Sequence, residues 1–171
     1  MAHPAKPPRV LALLLALVML AAASAQSDPA GLLHRPAPRF QRTSLEGRRV
    51  DLADYRGKVV LLTFWATWCA PCLVEMPRLI DWQNRYRSDG LQVLAVSLDD
   101  DAEPVRALTA ERHLNYPVMM GDANLARAYG RILGLPVSFL IDRHGKIAAV
   151  YKGETDPTTI ESGIKPLLAA H

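Results

Sequence analysis

The chain has 171 residues, a formal net charge of +3 and hydrophobic side chains at 50% of its positions. This length supports one domain with a sizeable core and leaves too little chain for a second one. Lys6 and Arg9 precede a long apolar stretch, and without them the formal charge falls from +3 to +1. A chain so close to neutral, with no basic run interleaved with aromatic residues, gives no indication of nucleic-acid binding.

The first 25 residues have the pattern of a secretory signal peptide. Lys6 and Arg9 lead into uninterrupted apolar residues over 10–23, and Ala23-Ser24-Ala25 supplies small residues for cleavage after Ala25. An uncleaved membrane anchor over residues 10–23 is the less favoured alternative, because about 14 apolar residues fall short of the roughly 18 that span a bilayer. We therefore expect residues 1–25 to be removed and the mature protein to be periplasmic or otherwise extracytoplasmic, where disulfides persist.

Composition then separates a short leader from the folded part of the chain. Residues 26–38 are rich in Ser, Asp, Gly and Pro, which predicts a flexible leader and places the domain over residues 39–171. In its first half, the apolar pattern of the domain predicts a hairpin over 40–55, a strand over 59–66, a helix after the cysteines and a strand over 91–98. In its second half, the pattern predicts a helix over 101–114, a short helix over 123–129, a hairpin with strands at 137–141 and 146–151, and a last helix from Asp156.

The run VVLLTFWA over residues 59–66 is almost continuously apolar, and LQVLAVSL over 91–98 is similar. Such runs are typical of central strands that helices cover on both faces, as in a parallel or mixed sheet. Because strands and helices alternate along the chain, the sequence predicts one layered α/β domain.

Cys69 and Cys72 are the only cysteines, and they stand two residues apart. A structural disulfide over so short a loop would remove little chain entropy. A zinc site would need four ligands, of which this pair supplies two, and the histidines are scattered. A redox pair is the third interpretation. Cys69 would lie, exposed, at the start of a helix whose dipole favours its thiolate, and Cys72 would lie one turn away and slightly inside.

The motif Trp68-Cys69-Ala70-Pro71-Cys72, preceded by Phe64-Trp65-Ala66, resembles the thioredoxin superfamily and, more narrowly, the exported TlpA/ResA-like thiol–disulfide oxidoreductases of bacteria. Further matches to that group are residues 116–118, Asp122, residues 126–130, and residues 134–136 leading into 139–142. The resemblance runs from about Pro36 to the end of the chain. It implies a thioredoxin-like fold, in which helices flank a central mixed β-sheet, with an N-terminal β-hairpin and an inserted helix.

The resemblance also implies roles for particular residues. Pro136 aligns with a proline that follows a cis peptide bond and lies against the cysteine pair, so Leu135 and Pro136, framed by Trp68, are expected to contact substrate. Thr63 occupies the place of the buried aspartate of typical thioredoxins. Glu75 occupies the place of a glutamate implicated in cysteine protonation; the alternative is a solvated glutamate on an early helical turn.

The predicted activity is therefore that of an exported thiol–disulfide oxidoreductase that reduces protein disulfides, as in cytochrome c maturation or copper-site assembly. Its electrons would come from a membrane partner of the CcdA/DsbD type, and we expect a monomer with no cofactor and no metal. Two alternatives belong to other classes. A thiol peroxidase would carry a threonine where Ala66 stands, and a copper-delivery protein would carry Cys-x-x-x-Cys with a distant histidine.

Overall fold

A five-stranded mixed sheet forms the centre of the computed structural model, which describes residues 31–170. The predicted signal peptide at residues 1–25 and the first part of the predicted leader lie outside the described residues. Within residues 31–170, no helix has both the length and the apolar character needed to cross a membrane.

The strands are β1 (Gln41–Thr43), β2 (Arg49–Asp51), β3 (Val59–Trp65), β4 (Leu91–Ser97), β5 (Val118–Met120), β6 (Val137–Ile141) and β7 (Ile147–Lys152). The helices are α1 (Ala70–Tyr86), α2 (Ala102–Glu111), α3 (Ala123–Ala128) and α4 (Pro157–Ala169), with a short 3-10 helix at Leu52–Tyr55. The predicted α/β class and the order of elements are confirmed. Helix α2 ends three residues before the predicted boundary, and His113 just beyond it adopts a positive φ of 52°.

The main sheet has the strand order β5-β4-β3-β6-β7. Strand β3 lies at its centre, parallel to β4 and antiparallel to β6, and all seven of its residues are buried. Burial on both faces explains why the sequence of this strand is almost continuously apolar. Strands β1 and β2 form the predicted N-terminal hairpin as a separate antiparallel pair, which joins the edge strand β5 through a bridge between Ser44 and Met119.

Alternate side chains of β3 point into two different cores. Val59, Leu61 and Trp65 pack in a cluster that also contains both cysteines and the buried residues of α1 and α4. Leu62 and Phe64 face the opposite side, where Phe64, Tyr129 and Phe139 form a group of tilted and edge-on aromatic rings. The cysteines therefore belong to the core on the α1 side of the sheet.

The end of the predicted leader already contacts the folded body. His34 donates its N–H to the carbonyl of Ile147, the N–H of Ile147 donates to Arg35, and Ala37 donates to Gly145. Ala37 is also buried in the core on the second side of the sheet. The ordered contacts thus begin before the predicted boundary at Pro38, because this segment lies along the edge strand β7 and supplies backbone hydrogen bonds to it.

Candidate active site

Cys69 and Cys72 form a disulfide at the N-terminus of α1, with an S–S distance of 2.07 Å and 5.3 Å between their Cα atoms. Cys69 is the N-cap residue of the helix, and its Sγ accepts the backbone N–H of Cys72 at 3.3 Å. The first N–H groups of a helix have no partner within the helix, so Cys69 takes the place that Ser or Asp often fills. In the reduced protein, the same N–H group and the helix dipole favour a thiolate at Cys69.

The prediction that Cys69 is exposed is wrong for this disulfide form. Only 5% of the Cys69 surface and 2% of the Cys72 surface are accessible to solvent. The reason is that both residues pack into the core cluster, alongside Met76 and Leu135. The neighbouring Trp68 is the exposed residue of the motif, with 70% of its surface accessible.

The peptide bond between Leu135 and Pro136 is cis, as the resemblance implied. This loop faces the start of α1, since Pro136 lines one surface groove together with Val74 and with Pro71, which stands between the two cysteines. Pro136 is buried, and its carbonyl accepts the N–H of Gly153 at 2.8 Å, which ties the loop to the end of β7.

A surface groove of about 420 Å³ separates the start of α1 from the Pro136 loop. It is lined by Pro71, Val74, Glu75, Pro77, Arg78, Pro136, Glu154, Thr155 and Pro157. A second groove of about 360 Å³ lies along residues 129–135 and reaches the end of β7. Within the described residues, the exposed large hydrophobic side chains are Trp68, Val74 and Leu133, and Leu133 is 96% accessible. They all lie in or next to the segments that form the disulfide and the two grooves.

Glu75 is half-buried on the second turn of α1. Burial raises the pKa of its carboxyl to about 7, because removal from water disfavours the charged form. A fully solvated glutamate, the alternative weighed from the sequence, does not describe this environment. The side chain lines the surface groove on one side and a small internal cavity on the other.

That cavity lies directly beside Cys72 and has a volume of about 10 Å³. It is lined by Thr63, Trp65, Cys72, Glu75, Met76, Leu79, Ala95 and Tyr116. Thr63, at the place of the buried aspartate of thioredoxins, accepts a hydrogen bond from the Ser138 hydroxyl at 3.0 Å. Glu75 is therefore the carboxylate that lines this cavity, and the structure brings it together with Cys72.

Asp99 is a site residue that the sequence analysis did not identify. Its carboxylate accepts the Thr67 N–H at 3.0 Å, the Thr67 hydroxyl at 2.5 Å and the Ser97 hydroxyl at 2.7 Å. Thr67 stands two residues before Cys69, so these bonds fix the loop that delivers the cysteine. The contact follows from the sheet order, because β3 and β4 are parallel neighbours and the residues that follow them lie at one edge of the sheet.

Among residues 31–170, no group of three or more His, Cys, Asp or Glu side chains is placed to hold a metal ion. At the position where a thiol peroxidase would carry threonine, Ala66 is completely buried. The reactive groups that the structure brings together here are the two sulfur atoms of the disulfide and the carboxyl group of Glu75.

A mixed sheet of this order, a Cys-x-x-Cys disulfide at the start of α1 and a cis proline beside it define a redox protein with the thioredoxin fold. The chain belongs to the AhpC/TSA family, whose model matches residues 33–150. It is 35% identical over 134 residues to the thiol-disulfide oxidoreductase ResA of Bacillus thuringiensis subsp. konkukian, covering 78% of this chain and 77% of that one.

Solved structures agree with this assignment. A thiol:disulfide interchange protein DsbE from Chlorobium tepidum is 35% identical, with a TM-score of 0.74 over 78% of this chain and 95% of that chain. A thiol:disulfide interchange protein of the thioredoxin family from Chlorobium tepidum TLS is 30% identical, with a TM-score of 0.72 over the same shares of the two chains. The predicted fold and enzyme class are confirmed: the protein is a thiol–disulfide oxidoreductase.

Proposed function

We propose that this enzyme reduces disulfides of other proteins outside the cytoplasm, using Cys69 as nucleophile and Cys72 as resolving thiol. The observation that carries the proposal is the Cys69–Cys72 disulfide at the N-terminus of α1, with Glu75 beside Cys72. The sulfur that caps the helix is the one whose thiolate the helix would stabilise, and this supports Cys69 as the residue that attacks first.

The reaction begins with the reduced protein. The Cys69 thiolate attacks one sulfur of the substrate disulfide, so a mixed disulfide forms and the other substrate sulfur leaves as a thiolate that takes up a proton. Cys72 loses its proton and attacks Sγ of Cys69, which releases the second substrate sulfur as a thiolate that also takes up a proton. One of the two protons comes from Cys72 and the other from solvent, because Cys69 starts as a thiolate. The substrate gains two electrons and two protons, and the protein ends as the observed disulfide.

The substrate segment would lie across the cysteine pair and the Pro136 loop. We propose that Leu135 offers backbone hydrogen bonds to an extended segment, that Pro136 sets its distance from the sulfurs, and that Trp68 packs against it. The adjacent grooves and the exposed hydrophobic side chains support this placement, because an exposed apolar patch commonly marks an interaction site.

The relatives, a thiol-disulfide oxidoreductase ResA and a thiol:disulfide interchange protein DsbE, support thiol–disulfide exchange as the reaction. We propose that this protein runs the exchange as a reductant in an extracytoplasmic pathway. We propose a substrate such as apocytochrome c or the cysteines of a copper site during assembly. The protein would act as a monomer, reach the periplasm through the signal at residues 1–25, and be reduced again by a membrane donor of the CcdA/DsbD type.

A trapping experiment tests this function. The Cys72→Ser variant, expressed with its export signal, keeps the nucleophile and lacks the resolving thiol. We expect it to accumulate mixed disulfides with extracytoplasmic proteins that contain paired cysteines, and these can be identified after isolation without reductant. The matched control is Cys69→Ser, which should accumulate far fewer. Equal trapping by the two variants, or by neither, contradicts the assigned roles.

The direction of electron flow is tested by a redox titration against glutathione. If the protein is a reductant, its reduction potential should lie close to that of thioredoxin, about −270 mV. A reduction potential of about −120 mV would make it an oxidant. The second result would overturn the proposed direction and leave the enzyme class unchanged.

A further inference from the structure

Trp65 contains a buried polar atom that has no protein partner. Its indole Nε1 is the one buried side-chain nitrogen or oxygen among residues 31–170 for which the structure shows no hydrogen-bond partner. The residue itself is only 3% accessible. The indole N–H can only donate, and buried donors in folded proteins are nearly always paired, so this group needs an acceptor.

The surroundings of Trp65 offer a place for that acceptor. Trp65 lines the internal cavity together with Cys72, Glu75 and Tyr116. Its volume of about 10 Å³ is close to the smallest space that holds one water molecule, and such a water needs two to four polar partners. Trp65 supplies a donor, Glu75 supplies an acceptor, and the Tyr116 hydroxyl can act as either.

We propose that Trp65 is a positioning residue for proton transfer, and that its Nε1–H holds a single water molecule between Cys72 and Glu75. The inference rests on the proposed function, because it concerns the step in which Cys72 becomes a nucleophile. A donor fixed on β3 orients the water: one lone pair accepts the indole N–H, the other faces the thiol, and one hydrogen faces the carboxylate.

The proton balance of this step is simple. The Cys72 thiol gives its proton to the water, which passes one of its own protons to the Glu75 carboxylate. Cys72 is then a thiolate, Glu75 is a neutral carboxylic acid and the water is regenerated. Because Glu75 also lines the surface groove, its carboxyl group can afterwards release the proton to solvent.

The other titratable groups around Glu75 are compatible with this route. Burial, with a smaller contribution from the Glu75 charge, raises the pKa of Tyr116 above its ordinary value, so its hydroxyl stays neutral. Arg78 and Glu154 line the groove on the solvent side, away from the internal cavity. Within the cavity lining, the carboxyl group of Glu75 is therefore the group that can take a proton from Cys72 near neutral pH.

A two-phase thiol assay isolates the step. When reduced protein reacts with excess 5,5′-dithiobis(2-nitrobenzoate), Cys69 releases the first coloured thiolate and the attack of Cys72 releases the second. Trp65→Phe keeps an aromatic ring and removes the N–H. We expect this substitution to leave the rate of the first phase unchanged and to slow the second phase by about tenfold at pH 7. The pH profile of the second phase should shift to higher pH.

Trp82→Phe is the matched control, because Trp82 is also a buried tryptophan of the same core cluster but does not line the cavity. The proposal is overturned if the second phase of Trp65→Phe matches that of the wild type. It is equally overturned if Trp65→Phe and Trp82→Phe slow both phases alike at every pH, since that result describes general damage to the core. If the wild type releases neither thiolate faster than a simple mercaptan, it is the proposed function that fails.

A measurement on the wild type covers the case in which Trp65→Phe does not fold. The indole ¹⁵N–¹H signal of Trp65 can be assigned by elimination with Trp68→Phe and Trp82→Phe. We expect this signal to exchange magnetisation with a bound water and to shift between pH 5 and pH 9 as Glu75 ionises, and Glu75→Gln should abolish the shift. A signal that neither contacts water nor shifts with pH overturns the proposal.

Discussion

Glu75 lies between the interior of the protein and its surface, with the cavity beside Cys72 on one side and the groove beside Pro136 on the other. A carboxyl group with a pKa of about 7 can accept a proton from a thiol and return it to solvent at the same pH. The placement that makes Glu75 useful also makes its charge costly, because the ionised form is partly removed from water.

We predict that Glu75→Gln stabilises the oxidised protein at alkaline pH. Burial raises the pKa of Glu75 in the folded state to about 7, above its value in the unfolded chain. The free energy of unfolding of the wild type therefore falls as the pH rises from the unfolded-state pKa to the folded-state pKa. Below about pH 4 the carboxyl is protonated in both states and contributes nothing. At pH 8 the free energy of unfolding of the variant should exceed that of the wild type by about 2 kcal/mol. The difference is smaller than full burial of the charge would give, because the groove is open to solvent.

Urea unfolding of the oxidised proteins at pH 4, 6 and 8 measures this difference. The control is Glu154→Gln, whose side chain is exposed on the same groove and whose stability should follow the wild type at every pH. A gap between Glu75→Gln and the wild type that is the same at pH 4 and pH 8 would show that the Glu75 charge is not the cause.

For individual residues of the site, the sequence predicts the positions that depend on a single helix. The spacing of Cys69, Cys72 and Glu75 places them along the first two turns of α1, and the structure agrees. The burial of Cys69 and the unpaired N–H of Trp65 depend instead on packing between β3, α1 and the Leu135 loop. Local spacing carries no information on contacts between segments so far apart in the chain.

Among the elements, the loop between β3 and α1 matters most for the site, because it carries Cys69. One carboxylate beyond β4 holds it, since Asp99 accepts both the N–H and the hydroxyl of Thr67. The Ser97 hydroxyl donates to the same carboxylate and accepts the N–H of Asp99, so the acceptor itself is held in place. The position of the nucleophile is therefore set by two parallel strands together.

We predict that Asp99→Ala destabilises the oxidised protein by about 2 kcal/mol. The substitution leaves two donors on Thr67 and one on Ser97 without their charged acceptor, and bonds to charged groups contribute about 1.5–3 kcal/mol each before solvent replaces part of them. Asp100→Ala is the control, because Asp100 is exposed and should change stability by no more than about 0.5 kcal/mol. Urea unfolding compares the two, and hydrogen exchange at the Thr67 amide should accelerate in Asp99→Ala alone. Equal effects of both substitutions would contradict this role of Asp99.

The elements themselves follow well from the sequence, because β3 and β4 are apolar runs of strand length and α1 and α4 have helical periodicity. Their contacts follow less well. The aspartate run over 99–101 suggests a solvated loop, yet Asp99 binds Thr67 and Asp101 caps α2 by accepting the N–H of Glu103. Polar residues between elements reveal their partners only once the sheet order is known.

Across the whole molecule, the end of the protein away from the disulfide is organised by Arg143, in the turn between β6 and β7. Its guanidinium group donates to four backbone carbonyls, those of Gly57, Asp89, Leu168 and Ala170, at 2.7 to 3.1 Å. These carbonyls belong to the segments before β3 and β4, to the last turn of α4 and to Ala170, the residue that follows it. Gly90 adopts a φ of +100°, which favours glycine, and a Cβ atom on it would lie 3.0 Å from the guanidinium group.

We predict that Arg143→Met lowers the free energy of unfolding by about 3 kcal/mol while leaving the thiol chemistry intact. Methionine retains an apolar stem, so the loss should reflect the four hydrogen bonds, each weakened by partial exposure to water. Pro136 stands immediately before β6, and the turn with Arg143 comes immediately after it. The five residues of β6 therefore separate Pro136 from that turn by about 17 Å. Neighbouring Lys146 is exposed in the same hairpin, and Lys146→Met should change stability by less than about 0.5 kcal/mol.

Thermal or urea unfolding gives the stability of both variants, and the two-phase thiol assay at a temperature where each is folded gives their reactivity. If Arg143→Met lowers the free energy of unfolding and leaves both phases of the thiol assay unchanged, the contacts of Arg143 and the reactive sulfur atoms act separately, at opposite ends of β6. Slower release of the first coloured thiolate in Arg143→Met would contradict that separation, because it would mean that the carbonyls held by Arg143 also determine the position of Cys69. Under the separation argued here, substitutions around Arg143 alter the lifetime of the enzyme, whereas substitutions around Glu75 alter its pH dependence.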